Sequence, residues 1–140
     1  MPGVTILLVE DNPDDAALTE RALRGLPAHI EVAGDGQEAL DYLFNQANDR
    51  PRLVLLDLRL PNIDGLEVLQ RIRENERTCS TPVVILTTST APDDIATGYR
   101  YGVNSYVCKP LDFEQFSGLL RELGSYWLFI NEPPPDIPDH

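Results

Sequence analysis

The chain has 140 residues, a formal net charge of −12 and a pI near 4.4. Its length suits one domain, and its acidic surplus argues against nucleic acids and anionic membranes as partners, because both require a basic surface. No apolar run approaches the ~20 residues that cross a bilayer, the N-terminus has no signal-peptide pattern, and the two cysteines lie far apart. We therefore expect one cytoplasmic domain with reduced thiols.

The beginning of the chain predicts two strand–helix pairs. The continuous apolar run over residues 5–9 predicts a strand that is buried on both faces. Asn12 follows as a helix N-cap, with a proline at the first helical position and acidic residues in the first turn. The alternating run over 29–33 predicts a strand at a sheet edge, and Asp35 caps the next helix.

The middle of the chain predicts the central strand. A run of four apolar residues over 53–56 is too short for a helix and ends on a carboxylate, Asp57. A charge at the end of a fully apolar strand is costly unless it is paired, so Asp57 requires a partner. Gly65 then opens a helix, with Asp64 at the N-cap position.

Two further strand–helix pairs complete the predicted domain. Residues 82–86 predict another buried strand, after which Pro92 starts a helix. Residues 105–108 predict the last strand, and Asp112 caps the final helix. Because five strands alternate with five helices, we expect an α/β fold in which a parallel sheet carries helices on both faces.

Polar side chains follow four of the predicted strands at their carboxyl ends. In a parallel sheet these ends lie at one edge, where ligands bind, so we expect the side chains to meet. They are Glu10, Asp11, Asp57, Thr87 and Lys109. Oxygen ligands without His or Cys suit Mg²⁺, and a lysine with a hydroxyl suits a phosphoryl group. The pattern predicts phosphoryl transfer onto Asp57, although each residue taken alone is equally typical of a loop or a surface.

These motifs resemble the receiver domain of two-component response regulators, over about residues 4–123. The resemblance implies a flavodoxin-like, doubly wound sheet with the strand order 2-1-3-4-5. It also implies that a sensor histidine kinase phosphorylates Asp57 from a phosphohistidine. Mg²⁺ would then be bound by Asp57 itself, by Asp11, by Glu10 through water and by the backbone carbonyl of Arg59.

The same resemblance assigns the remaining roles. Thr87 and Lys109 would contact the phosphoryl oxygens, and Tyr106 would turn inward as Thr87 moves. Phosphorylation takes Asp57 from −1 to about −2 and adds acceptor oxygens, which would pull both phosphoryl contacts inward as a switch. Ser89 is expected to be a loop or capping residue.

Two alternatives remain open for this chemistry. A Mg²⁺-dependent phosphatase of the haloacid-dehalogenase type also forms an aspartyl phosphate, but it needs a second Asp two residues after the nucleophile as general acid–base. Arg59 occupies that position and cannot be deprotonated, which favours a phosphoacceptor switch that assists only its own phosphorylation and slow dephosphorylation. The other alternative is a binding protein of the same fold that is not phosphorylated.

The C-terminal part divides after residue 130. We assign 1–130 to the receiver domain with an extended last helix, and 131–140 to a Pro-rich acidic tail that cannot form a helix. Large apolar residues end the domain, and they either pack on it or form an interface with a second copy or a kinase. They are Tyr126, Trp127, Phe129 and Ile130.

A narrower resemblance is to the small regulators that pair with phytochrome-type sensor kinases, the bacteriophytochromes among them. It rests on the runs 9–15 and 86–89 and on the aromatic pair 126–127. The length leaves no space for a DNA-binding output domain, so we expect a stand-alone regulator. Its output would then be a contact with another protein, a change in self-association such as a homodimer formed through the last helix, or transfer of the phosphoryl group to the next protein of a phosphorelay.

Overall fold

Five strands alternate with five helices in the computed structural model, which describes residues 3–135. The strands are β1 (Thr5–Val9), β2 (His29–Ala33), β3 (Leu53–Leu56), β4 (Val83–Thr87) and β5 (Ser105–Cys108). The helices are α1 (Pro13–Leu23), α2 (Gly36–Phe44), α3 (Gly65–Glu74), α4 (Pro92–Arg100) and α5 (Phe113–Ser125). Helix α5 continues directly into a π-helical turn, Tyr126–Ile130. The end of the predicted tail, 136–140, lies outside the described residues.

The sheet has the strand order β2-β1-β3-β4-β5, and all neighbouring strands are parallel. This confirms the predicted flavodoxin-like fold. Strand β4 lies one residue later than predicted, because Pro82 has no N–H to donate to the ladder, whereas Thr87 still pairs with Cys108. The shift places Thr87 at the last position of a buried strand.

Both faces of the sheet are covered, which is why the central strands are apolar at every residue. Successive side chains point to opposite faces, and each face has its own core. The core beneath α1 and α5 includes Ile6, Leu8, Leu53, Leu55, Val84 and Leu86. The core on the opposite face, beneath α2 and α3, includes Leu7, Val9, Val54, Leu56, Val83 and Ile85.

Three helices begin with the predicted capping side chains. Asn12 Oδ1 accepts hydrogen bonds from two backbone N–H groups of the first turn of α1, at 2.9 and 3.1 Å. Asp35 and Asp112 accept in the same way at α2 and α5. Asp64 has the predicted N-cap position of α3, but within the described residues its side chain makes no capping hydrogen bond.

Arg73 makes hydrogen bonds to several loops at the edge of the sheet that lies opposite the strand carboxyl ends. Its guanidinium donates to the backbone carbonyls of Thr81 (2.7 Å), Gly102 (2.9 Å) and Cys79 (3.1 Å). It also donates to Asn104 Oδ1 at 2.8 Å. Burial lowers the pKa of this guanidinium. Arg73 thereby joins the end of α3 to the loops that lead into β4 and β5.

The aromatic segment after α5 divides between the core and the surface. Trp127 is buried, with 8% of its surface exposed, and it packs in the core beneath α1 and α5. The side chains of Tyr126, Phe129 and Ile130 are 44%, 63% and 70% exposed. The turn closes with a hydrogen bond from Asn131 N to Tyr126 O at 2.8 Å. Trp127 is therefore not available for the predicted interface, because its ring contributes to the domain's own core.

The turn after β3 approaches its own strand very closely. Gly65 N donates to Leu58 O at 3.0 Å, and Asn62 adopts a φ of 67° in the loop between them. A Cβ atom on Gly65 would lie against the carbonyl oxygen of Asp57 and 2.6 Å from Leu58 Cα. Only glycine fits here without moving the backbone that carries Asp57.

We predict that Gly65→Ala destabilises the protein by about 1–3 kcal/mol, because the added methyl group has backbone rather than a flexible side chain to displace. Urea unfolding followed by circular dichroism measures the change in free energy. Gly118→Ala is the matched control, since nothing lies within 4 Å of a Cβ at that helical position. It should be neutral or stabilise the protein by about 0.5–1 kcal/mol. Equal effects of the two substitutions would contradict the steric argument.

Candidate functional site

Three carboxylates meet at the carboxyl edge of the sheet. An oxygen atom of each of Glu10, Asp11 and Asp57 lies within 4.8 Å of the others. The reason is the parallel register, in which Val9 pairs with Leu56, so that the residues following β1 and β3 are neighbours. Glu10 is buried, Asp11 is exposed, and the side chain of Asp57 is 13% exposed. The sequence placed these residues at one edge, and the structure brings them together.

Lys109 enters the same cluster from the end of β5. Its Nζ lies 2.7 Å from Glu10 Oε1 and 3.2 Å from Asp57 Oδ2, and a longer contact of 3.8 Å reaches Asp15. The backbone positions it, because Lys109 N donates to Thr87 O at 2.7 Å. Burial alone would lower the pKa of Lys109, but the hydrogen bond with Glu10 and the charge of Asp57 outweigh burial and raise it. Lys109 thus carries its charge in a largely enclosed place.

The balance of charge at this edge favours a bound cation. Burial raises the pKa of Glu10, and the negative charge of Asp57 raises it further, although the hydrogen bond with Lys109 opposes both effects. Three carboxylates face one ammonium group, which leaves negative charge uncompensated. Carboxylate oxygens without nitrogen or sulfur ligands are the donors that hard divalent cations prefer. The residues present therefore fit a divalent metal ion.

The backbone of Arg59 also contacts the cluster. Arg59 N donates to Asp57 Oδ1 at 3.2 Å, so both oxygens of Asp57 have a protein partner. The side chain of Arg59 is exposed and lines a shallow cavity of about 440 Å³ together with Asp11, Asp64 and Asp94. Of the three clustered carboxylates, Asp11 lines this cavity. The metal-ligand role expected of the Arg59 carbonyl remains a prediction.

Thr87 and Tyr106, the two expected switch residues, both contact Ser89. Thr87 is fully buried, and its Oγ1 accepts a hydrogen bond from Ser89 N at 3.4 Å. The Tyr106 hydroxyl donates to Ser89 O at 2.9 Å. Burial raises the pKa of Tyr106, and the nearby charge of Asp94 raises it further, against the effect of the hydrogen bond with Ser89. Ser89 joins two residues that the sequence had connected only through a family resemblance.

The link from this loop to the next helix was not predicted from the sequence. Ser89 Oγ donates to Asp94 Oδ2 at 2.6 Å and accepts from Ala91 N at 3.3 Å. A signal was present in the sequence, because alanine stands at the N-cap position before Pro92 and cannot cap a helix. The two hydroxyls just upstream, on Ser89 and Thr90, were the candidates for contacts with the start of α4, and Ser89 makes them.

The comparisons with known proteins agree on one family. The model of the response regulator receiver domain matches residues 6–121. The chain is 49% identical to the "Probable methanogenesis regulatory protein FilR2" of Methanothrix harundinacea, over 92% of this chain and 86% of that protein. It is 36% identical to the response regulator Rcp1 of Synechocystis, over 91% of this chain and 90% of that protein.

Solved structures agree with the sequence relatives. The Mn²⁺-bound form of Rcp1 superposes with a TM-score of 0.88 at 35% identity, covering 96% of this chain and 100% of that one. The phosphorylated cyanobacterial phytochrome response regulator RcpA superposes with a TM-score of 0.89 at 37% identity, with the same coverage. Among residues 3–135, no helix has the length and apolar character needed to cross a membrane.

We predict that Asp11→Asn lowers the affinity for Mn²⁺ by about tenfold or more, because the substitution removes one negative charge from the carboxylate cluster without changing the size of the side chain. Titration calorimetry measures the affinity. Asp14→Asn is the matched control, since Asp14 is an exposed acid in the first turn of α1 that does not belong to the carboxylate cluster. An equal loss in both variants would mean that only the net charge of the protein attracts the ion.

Proposed function

The chain belongs to the response regulator receiver domain family, and we propose that it is a phosphorylation switch in which Asp57 accepts a phosphoryl group from a sensor histidine kinase. The observation that carries this proposal is the placement of Lys109 Nζ, 3.2 Å from Asp57 Oδ2 and inside a cluster of carboxylates. A strand-end carboxylate, a fixed positive charge and two further carboxylates lie together in one place, which supports this proposal. The relative RcpA has been solved in its phosphorylated form.

The reaction forms one bond and breaks one bond. A carboxylate oxygen of Asp57 bonds to phosphorus, while the bond from phosphorus to the imidazole nitrogen of the donor breaks and its electron pair leaves with the imidazole. Lys109 offsets the negative charge of the entering phosphoryl oxygens, and Thr87 supplies a hydroxyl donor from the end of β4.

The metal in this proposal is Mg²⁺. Asp11 and Asp57 would bind it directly, Glu10 would bind it through water, and the carbonyl of Arg59 would complete the protein ligands. The donor set supports this choice, since few protein oxygens with room for water suit Mg²⁺ better than Ca²⁺. When bound, the ion adds positive charge where the phosphoryl oxygens meet the acidic cluster. The relative Rcp1 has been solved with Mn²⁺ bound.

The role of Arg59 favours a switch over a phosphatase. Rapid hydrolysis of an aspartyl phosphate needs a group that can take a proton from water, and a guanidinium cannot do so. Arg59 stands two residues after Asp57, and its backbone holds Asp57 Oδ1. The phosphorylated state would therefore last long enough to be read by a partner.

The nature of the relatives supports a narrower assignment of the partner. RcpA is a phytochrome response regulator, and we extend this pairing to the present chain as a proposal, with a phytochrome-type histidine kinase as phosphoryl donor.

Both cysteines, Cys79 and Cys108, are free thiols. Free thiols are typical of a reducing compartment, which supports work in the cytoplasm.

The exposed residues of the π-helical turn support self-association. Tyr126, Phe129 and Ile130 present large apolar side chains to solvent at one end of the domain. Such groups concentrate at protein interfaces, and a second copy would shield the same groups on both partners. We therefore propose a homodimer formed through this turn.

We predict that incubation with acetyl phosphate and Mg²⁺ adds one phosphoryl group to the wild-type protein and none to Asp57→Ala. Intact-mass spectrometry measures the gain. Asp64→Asn is the matched control, because Asp64 is an exposed acid on the loop that follows Asp57. The proposal is wrong if the wild type gains no mass, or if Asp57→Ala gains as much as the wild type does.

A second prediction concerns the dimer. Phe129→Ser should weaken self-association by about tenfold or more, because it removes a large apolar side chain from the proposed interface. Light scattering over a range of concentrations measures the dissociation constant. Leu111→Ser is the matched control, since Leu111 is fully exposed but lies before α5, away from the turn. A wild-type monomer at high concentration, with and without a phosphoryl mimic, would refute the dimer.

A further inference from the structure

Asp15 is a further carboxylate beside the site, and it is more exposed than the other acids that contact Lys109. Its Oδ2 lies 3.8 Å from Lys109 Nζ, which is too far for a hydrogen bond but close enough for a charge contact. The side chain of Asp15 is 46% exposed, whereas that of Glu10 is 4% and that of Asp57 is 13% exposed. Asp15 does not belong to the carboxylate cluster that fits a metal ion. Its charge therefore meets the site at Lys109, on the side that faces solvent.

The start of α1 fixes the backbone of Asp15 on both sides. Asp15 N donates to Asn12 Oδ1 at 3.1 Å, and Asp15 O accepts from Thr19 Oγ1 at 2.8 Å. Thr19 is buried, so the second hydrogen bond joins Asp15 to the body of the helix. The N-terminus of a helix also stabilises a negative charge in its first turn, where Asp15 lies. Asp15 is therefore a charge with a defined position beside Lys109.

Asp14 differs from Asp15 in its distance from the site rather than in charge or secondary structure. Both acids lie in the first turn of α1, and the backbone N–H of each donates to Asn12 Oδ1. Asp14 is exposed, and among the described residues the ion-pair partners of Lys109 are Glu10, Asp15 and Asp57. The effect of Asp15 on Lys109 can thus be separated from the effect of one acidic residue at the start of this helix.

We infer that Asp15 is a specificity-determining residue, which favours phosphoryl donors of low negative charge over donors of high negative charge. An entering phosphoryl group brings negative oxygens to Lys109, where Asp15 repels them and shares the same ammonium group. Both effects oppose an anionic donor, and neither depends on how the surrounding loops are arranged. A donor whose phosphoryl group is bonded to a protonated nitrogen carries less negative charge and is repelled less.

The role of Asp15 rests on the proposed function and adds to it the class of donor. Two small donors differ in charge near neutral pH. Acetyl phosphate is a dianion, whereas the protonated nitrogen of phosphoramidate cancels part of the negative charge of its phosphoryl group. With either donor, a carboxylate oxygen of Asp57 bonds to phosphorus. The bond from phosphorus to the acetate oxygen or to the ammonia nitrogen breaks, and its electron pair leaves with that atom.

Rates of phosphorylation with the two donors test this role. With Mg²⁺ present, acetyl phosphate should phosphorylate Asp15→Asn about two- to fivefold faster than the wild type, a modest factor because the ion pair is partly exposed. The rate with phosphoramidate should change less, so the ratio of the acetyl phosphate rate to the phosphoramidate rate should rise. Time courses followed by intact-mass spectrometry give both rates. The role is refuted if this ratio is the same in Asp15→Asn as in the wild type.

Matched controls separate the charge of Asp15 from its place in the helix. Asp14→Asn removes the same charge from the same turn and should leave the rate ratio at the wild-type value. Asp15→Glu keeps the charge and should retain most of the wild-type preference. Salt at about 1 M should remove most of the difference between Asp15→Asn and the wild type, because it screens exposed charges. An equal rise of the ratio in Asp14→Asn, or a difference that high salt does not reduce, would contradict the role of Asp15.

A second readout needs no phosphoryl transfer. Inorganic phosphate is titrated in the presence of Mg²⁺ and followed through the NMR signal of the backbone N–H of Lys109. It should bind Asp15→Asn about two- to fivefold more tightly than the wild type, because the same repulsion is removed. The affinity for Mn²⁺ in titration calorimetry should not rise, because the substitution removes negative charge. A variant that merely distorted the site would bind phosphate more weakly, which would contradict the role of Asp15.

The two readouts distinguish the role of Asp15 from the proposed function. If the wild type gains no phosphoryl group but Asp15→Asn binds phosphate more tightly, the proposed function fails and the effect of Asp15 on anions at Lys109 stands. If Asp57 of the wild type is phosphorylated and Asp15→Asn changes neither the rate ratio nor the phosphate affinity, the proposed function stands and the role of Asp15 fails. Urea unfolding of each variant confirms that the comparison is made between folded proteins.

Discussion

The arrangement of charges at the carboxyl edge of this sheet depends on the ammonium group of Lys109, which lies among carboxylates. Lys109 lies within 3.2 Å of both Glu10 and Asp57, and these acids would otherwise repel each other in a largely buried place. The parallel register of β1 and β3 forces the acids together, and the end of β5 provides the cation. The fold thus concentrates opposite charges where the apolar strands end, and the resulting excess of carboxylates fits a divalent metal ion.

The same edge differs from the opposite edge in how its polar groups are satisfied. At the edge opposite the strand carboxyl ends, Arg73 donates to backbone carbonyls and to Asn104, and these contacts do not depend on a ligand. At the carboxyl edge, the partners of Asp57 are Lys109 and one backbone N–H, and a phosphoryl group would compete for the lysine. The contacts of Arg73 therefore stabilise one edge permanently, whereas at the other edge the proposed phosphorylation would change the partners of Lys109.

The sequence predicted what depends on short-range pattern. Apolar runs at 5–9 and 53–56 gave the buried strands, and Asn12 and Asp112 cap their helices because a cap involves neighbouring residues. The missed features depend on packing between distant segments. Trp127 could face inward or outward until α5 was placed on the sheet, so its burial could not be read from the composition of the segment.

The residues of the site divide in the same way into those that the sequence predicted and those that it did not. The strand-end residues follow from topology, but the pairing of Ser89 with Asp94 depends on the path of one loop. Helix α4 buries little apolar surface, so its free energy of docking is small and is dominated by polar contacts that a single added charge can rearrange. The helices that cover the two cores bury more apolar side chains than α4 does, and this burial holds them on the sheet. If the proposed phosphorylation of Asp57 rearranges the domain, we expect α4 to move first, because its apolar contacts are the fewest among the helices.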